Sequence, residues 1–376
     1  MHDVERGRAR YGSLFEQLVA ALDRCDPLAD AVADDVERGA IEDLDRCLRG
    51  ERAQLASVAR LVSAVRQRPA WVDIERVHRG GQLLLRAGPL GGMVLGGKAI
   101  VYGYAAPAGN KPLAFSGRLQ QQAKRRLVET LRFVHAVCEH RGMDEGGAGF
   151  AATLRVRVMH AKVRRLLGQS GRWQRELWGE PINQHDMIAT VLLFSIIVVR
   201  GLEELGLHVT VDEREDYLHL WRYVGFLIGC EEQLLPRDVP EAVRVAYAIY
   251  DSQGPPDDDS RELTKALIAS PLEGITDARE RAAILRRRPF AEGICRALVG
   301  DEIADGLGIA RTPWRHAIRA IRAATSTAEV ARRVLPGGTS LALSLGRRAW
   351  QHAVAEALEG NPATFLPPVR LLAIRR

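Results

Sequence analysis

Residues 154–167 read LRVRVMHAKVRRLL, a run with helical spacing, one histidine and five basic residues. On a wheel of about 100° per residue, Val156, Val163 and Leu167 fall within about 60° of His160 on one side, with Met159 and Leu166 beyond them. Arg157 and Arg164 fall within about 60° on the other side. The stretch is therefore an amphipathic helix whose imidazole sits at the border between an aliphatic wall and two guanidinium groups. A haem asks for this combination: a greasy slot, a neutral imidazole nitrogen for iron, and arginine forks for the two propionates. A boundary histidine bonded to a neighbouring carboxylate or carbonyl meets the same pattern, so the helix alone leaves both readings open.

Working outward, helical periodicity dominates. Residues 13–68 carry it with many charges and turn signals at Pro27 and Gly50, predicting two or three amphipathic helices. Further helices are predicted over 117–140, 151–168, 183–205 and 212–232, and through 260–376 with breaks at Pro313 and at 335–340. The segment 183–205 is apolar almost all round and reads as a central buried helix. Only 93–103, MVLGGKAIVYG, competes as a strand. The fold class is all-α, with an N-terminal extension (1–68), a core (69–250) and a C-terminal helical region (251–376) packing into one structural domain.

Composition narrows the function classes. The 376 residues hold 48 arginines and 5 lysines, with a formal charge of +6, but the basic residues are spread along every helix and aromatics are few. A nucleic-acid surface needs clustering and interleaved aromatics, so no nucleic acid is expected as a partner. Five scattered cysteines without C-x-x-C spacing give neither a zinc site nor a disulfide framework. The longest apolar run, Ile188–Val199, is about half of what spans a bilayer, so no membrane span is expected, and the N-terminus lacks an apolar targeting region. The expectation is a cytoplasmic protein.

Between Glu75 and Glu129 there is no acid at all, while nine Arg or Lys residues occur. Such a segment is either solvated or faces something anionic. Within it, Gly92-x-x-x-x-Gly97-Lys98 imitates a phosphate-binding loop, but Ala99 stands where a magnesium-holding Ser or Thr is needed and no αβ alternation follows, so it reads as a turn. On the helix after it, Arg126, Glu129, Thr130 and Phe133 share one stripe at i, i+3, i+4, i+7, apart from the core stripe of Leu127, Leu131, Val134 and Cys138. Either Glu129 pairs along its own helix on a solvated face, or the stripe is a polar patch facing a cavity. His185 reads as a residue at a helix start, with Asp186 and Thr190 beside it, and His135 as packing.

An ordered set of short motifs runs through residues 70–250: Trp71-Val-Asp73, Tyr104-x-x-Pro107, Gly117-Arg-Leu119, Arg126-x-x-Glu129-Thr130, Arg157-x-x-His160-Ala-x-Val-Arg164, Trp178-Gly-x-Pro181-x-Asn183-x-x-Asp186 and Glu232-x-Leu-Leu-Pro236. This order resembles the latex clearing protein (rubber oxygenase) family, which includes the mycophenolic-acid-type oxygenases. The resemblance implies a globin-like helical core around one haem b, with His160 as the iron ligand. The family's distal R-x-x-K-T falls on Arg126, Glu129 and Thr130, so Glu129 replaces a lysine that can cap the distal iron. That substitution implies an open or water-bound sixth position. The family's catalytic glutamate has no counterpart, since residues 76–128 contain no acid.

The expected function is a haem b-dependent oxygenase that uses O2 to oxidise an apolar small molecule, by oxidative C=C cleavage of a terpenoid- or polyketide-like metabolite, with an electron donor as a further partner. Arg126 and Thr130 would orient substrate or oxygen, Glu129 would act as base, His160 would bind iron, Arg157 and Arg164 would neutralise propionates, and Phe133 would line the cofactor. The alternatives are the same scaffold performing hydroxylation, desaturation or peroxidase chemistry, and a haem-free helical protein that binds lipid or terpenoid.

Overall fold

Short polar side chains start the helices. Asp26 caps α1 (Pro27–Asp34) by accepting from the Ala29 amide, and Asp73 caps α2 (Ile74–Gly80) by accepting from Glu75 and Arg76. Next come α3 (Gln82–Ala87), α4 (Ala123–Cys138) and α5 (Ala148–Gly168), the last containing His160. Asn183 caps α6 (Gln184–Glu204), which carries one π-helical turn at Leu193–Ile197. Thr210 and Glu213 form a reciprocal capping box at the start of α7 (Val211–Leu227). Near the C-terminus, α8 (Ala317–Val334) and α9 (Gly338–Leu358) form a hairpin. The computed structural model describes residues 2–116 and 123–358, and among these no strand occurs. The fold class is all-α, and the Gly117-Arg-Leu119 motif lies outside the described residues.

The strand alternative at 93–103 is corrected. These residues run as a helix, a π turn at Leu95–Ala99 and a further helix, Ile100–Ala105. A glycine of α6 allows the close approach to this segment: a side-chain carbon on Gly201 would collide with Val94 and crowd Lys98. Lys98 is buried and donates to Glu204 and to the Leu298 carbonyl, each at 2.6 Å, so the phosphate-loop imitation is a helix whose lysine already has its partners.

The counter-charges missing from residues 76–128 come from elsewhere in the chain. Arg76 and Arg79 both reach Asp216 at 2.8 Å, Arg86 reaches Glu213 at 2.9 Å and Glu329 at 3.2 Å, and Lys111 reaches Asp257 at 2.5 Å and also Asp259. The anion this segment faces is therefore the protein itself, and these pairs pin the middle of the chain to its later helices.

One hydrophobic cluster runs from Tyr11 through Trp221 to Trp350, so all three sequence regions contribute to a single core. Trp221 and Tyr217 of α7 sit at its centre, fully enclosed, with Trp221 stacked on Phe194 at 5.2 Å. The α4–α5 hairpin approaches α3 so closely that a side-chain carbon on Gly81 would overlap the Cys138 backbone. Backbone cannot yield as a side chain does, so Gly81→Ala is expected to destabilise the fold by roughly 1–3 kcal/mol, read as a lowered urea midpoint.

Candidate active site

His160 is half-buried on α5, and its Nδ1 is enclosed without a hydrogen-bond partner among the described residues. Native interiors rarely leave such an atom idle. Burial first, then the charges of Arg164 and Arg126, lowers its pKa to about 4, so the ring is neutral at pH 7. Val156 beside it packs on the main core, and Leu167 is fully buried. Arg126 of α4 also acts on Tyr104, whose phenol burial pushes up to about 12. The structure thus brings both Tyr104 and His160 within electrostatic reach of Arg126. Sequence reasoning quoted Tyr104 only as a motif letter; its signal was the spacing Tyr104-x-x-Pro107.

Along α4, Thr130 Oγ1 donates to the Arg126 carbonyl at 2.9 Å, leaving its lone pairs to accept. Glu129 is paired with Arg125 at 3.1 Å and is 19% exposed. The helical pair along one face is the arrangement found. Phe133 is buried in the main core, edge-on to Trp221 at 6.3 Å, so it belongs to the packing between α4 and α7.

Arg157 and Arg164 do not offer open forks. Arg157 forms a bidentate pair with Asp26, at 2.7 and 2.8 Å, and donates to the Leu227 carbonyl at 3.2 Å. Arg164 is bound to Asp30 and donates to the Pro181 and Ile182 carbonyls, each at 3.1 Å. The wheel placed both on the correct side of His160, but that side is covered by α1, which brings Asp26 and Asp30. In this structure both guanidinium groups clamp α5 to α1 and to the loop before α6. That loop is strained, with Ile182 at φ 53°, and Arg164 holds it in place from both carbonyls.

The remaining motif pieces are joined pairwise. Trp71 Nε1 donates to Glu232 at 2.8 Å, tying Trp71-Val-Asp73 to Glu232-x-Leu-Leu-Pro236. His219 accepts from the Asp73 amide at 3.0 Å. His185 is buried against the Leu18 carbonyl at 3.2 Å, a satisfied core histidine. His135 stacks on Trp350 at 6.1 Å.

Asp186 is a group sequence reasoning noted but left without a role. Its carboxyl accepts from Asn183 Nδ2 at 3.0 Å and lies beneath the turn at Gly109. Burial raises its pKa from 3.8 to about 7. The folded protein therefore holds this proton more tightly than the unfolded chain, and the associated stability falls as pH rises from about 4 to about 7. Asp186→Asn keeps an acceptor for Asn183 and removes the titration. The variant is expected to be more stable than the parent at pH 8, by up to roughly 4 kcal/mol at ~1.4 kcal/mol per pKa unit, with the difference shrinking toward pH 4. Urea unfolding at both pH values checks this, and a difference independent of pH would rule it out.

The family model for "ER-bound oxygenase mpaB/B'/Rubber oxygenase, catalytic domain" matches residues 76–333, so the chain belongs to that family, and the match continues well past residue 250. It is an oxidoreductase of the oxygenase class. Rubber oxygenase of Streptomyces sp. (strain K30) is 24% identical over 303 residues, covering 77% of this chain and 71% of the relative. The solved latex clearing protein in its closed state superposes with a TM-score of 0.64 at 21% identity, covering 89% of this chain and 91% of that one, which establishes the shared helical fold.

Proposed function

We propose that this chain is a haem b-dependent oxygenase that cleaves a C=C bond of an apolar, terpenoid- or polyketide-like metabolite. One molecule of O2 is consumed and each alkene carbon leaves as a carbonyl. The observation that carries the reading is the enclosed, unpartnered ring nitrogen of His160, a neutral imidazole facing the Arg126 helix within the family match. That donor suits a haem iron; the arginines once expected for the propionates do not, because Asp26 and Asp30 hold them. When bound, the haem supplies a redox-active iron at which O2 is activated.

His160 would hold the iron. Arg126 would orient the polar end of the reactants by donating hydrogen bonds, with Thr130 accepting beside it and Tyr104, protonated at neutral pH, as a further donor. The aliphatic side of α5 would exclude water from the reacting carbons. Glu129 keeps a role as base only by leaving Arg125. A cytoplasmic location belongs to the same reading, since a small metabolite, unlike an extracellular polymer, is met there.

The test is isotopic. With an acyclic terpenoid alkene and ¹⁸O2, cleavage gives two labelled carbonyl oxygens; one labelled hydroxyl assigns hydroxylation, and product without label sinks the dioxygenase reading. A folded, colourless protein after expression with added haem would leave only the lipid-binding alternative.

A further inference from the structure

The α8–α9 hairpin has an inner and an outer face, and both are apolar. Inward, Ile318, Ile321, Leu343 and Trp350 pack on the main core. Outward, Val330, Val334, Leu335, Leu341 and Leu345 are 51–75% exposed. They are five of the eleven exposed large hydrophobics among the described residues, gathered between residues 330 and 345. Scattered exposed apolar residues need no explanation, but a cluster at the tip of a hairpin marks an interaction surface.

Charge accompanies it. Residues 306–355 contain eight arginines and one acid, Glu329. Glu329 is buried and already bound to Arg86 and Arg332. Arg311, Arg315 and Arg347 also have acidic partners, Asp305, Asp301 and Glu139. Arg319, Arg322, Arg333 and Arg348 are exposed and form no ion pair among the described residues. This differs from residues 76–128, a stretch with no acid of its own, where Arg76, Arg79, Arg86, Lys98 and Lys111 meet acids from later helices. At about 100° per residue, Arg319 and Arg333 lie together along one side of Val330 and Val334 on α8, and Arg348 lies beside Leu341 and Leu345 on α9. Unpaired cations and aliphatic side chains thus share one outward face.

We propose that this face docks the protein on the surface of a bilayer containing anionic phospholipid. The tip residues would enter the boundary between headgroups and acyl chains while the arginines meet phosphates. A second copy seated on the same face would set these arginines against each other, and a nucleic acid would give Val334 and Leu335 nothing to bury against. An anionic bilayer supplies both counter-charge and apolar contact, and it is a phase in which an apolar substrate accumulates.

The test uses the full chain, co-sedimented with vesicles of phosphatidylcholine alone or mixed with phosphatidylglycerol. The protein is expected to pellet with the mixed vesicles at low salt and to be released by added salt. Arg319→Gln and Arg333→Gln should each lower the partition constant roughly fivefold. Val334→Asp combined with Leu335→Asp should abolish pelleting while helix content by circular dichroism stays the same, since both positions are exposed. Parent protein left in the supernatant with mixed vesicles, or a double variant that pellets like the parent, overturns the proposal. So does a parent dimer in light scattering that the double variant converts to monomer without any vesicle binding, which would assign the face to a second copy. Pelleting needs no turnover, so its failure leaves the oxygenase reading standing, and loss of turnover leaves the pelleting result unaffected.

Discussion

Arg157→Ala is expected to cost about 3–5 kcal/mol of stability, because it strands a buried carboxylate. The side chains of Arg157 and Asp26 are 7% and 6% exposed, and two parallel hydrogen bonds join them. Without the guanidinium, Asp26 keeps only the 3.3 Å bond from the Ala29 amide, with water excluded. Gly229 sharpens the constraint: at φ 99° it lies against Asp26, and a side-chain carbon there would overlap the carboxylate and sit 2.8 Å from Arg157 Nε. Replacing both charged partners, as Arg157→Met with Asp26→Asn, should cost clearly less than the sum of the singles, since neither leaves an unpaired charge behind. Urea midpoints of the four proteins measure the coupling. Were Arg157 a propionate partner instead, its loss would weaken haem retention and leave the cofactor-free protein nearly as stable as the parent. A single-variant cost below about 1 kcal/mol would therefore contradict the clamp.

His160→Ala should behave in the opposite way. Its enclosed Nδ1 makes no hydrogen bond among the described residues, so truncation breaks none there. The change in stability is expected to stay within about 1–2 kcal/mol. Turnover, by contrast, is expected to fall at least about 100-fold, since even partners of metal ligands cost 10–100-fold when removed. A residue that is cheap to delete from the fold and costly to delete from the reaction is acting on something other than protein. Steady-state rates and urea midpoints of the same preparations separate the two effects; a large stability loss with proportionate inactivation would return His160 to the core.

The sequence was informative where a local pattern settles the matter. The 3.6-residue period identified α5, α6 and α7 to within a few residues at most ends, because each buries a stripe or a whole surface. The border position of His160 and the side on which Arg157 and Arg164 project follow from the same geometry. What those arginines bind did not follow. Asp26 and Asp30 lie over a hundred residues earlier, on a helix that read as a peripheral flank, and no local spacing shows that α1 covers this side of α5. The packing of Phe133 did not follow either: its stripe on α4 was separated from the core stripe, yet α7 brings Trp221 to it. The apolar, glycine-rich 93–103 looked extended because the close helix crossing there is made by a glycine of the partner, Gly201 of α6, packed against Val94 and Lys98. The acid-free stretch left two readings open, solvated or facing an anion; for Arg76, Arg79, Arg86, Lys98 and Lys111 the anions are distant acids of the same chain.

Absorption of the purified protein tests the central claim most directly, recorded as isolated and after dithionite, for the parent and for His160→Ala. The account expects a Soret band that shifts on reduction in the parent and is absent or strongly diminished in the variant. A parent that is folded yet colourless after expression with added haem, or a variant whose spectrum matches the parent's, would contradict it.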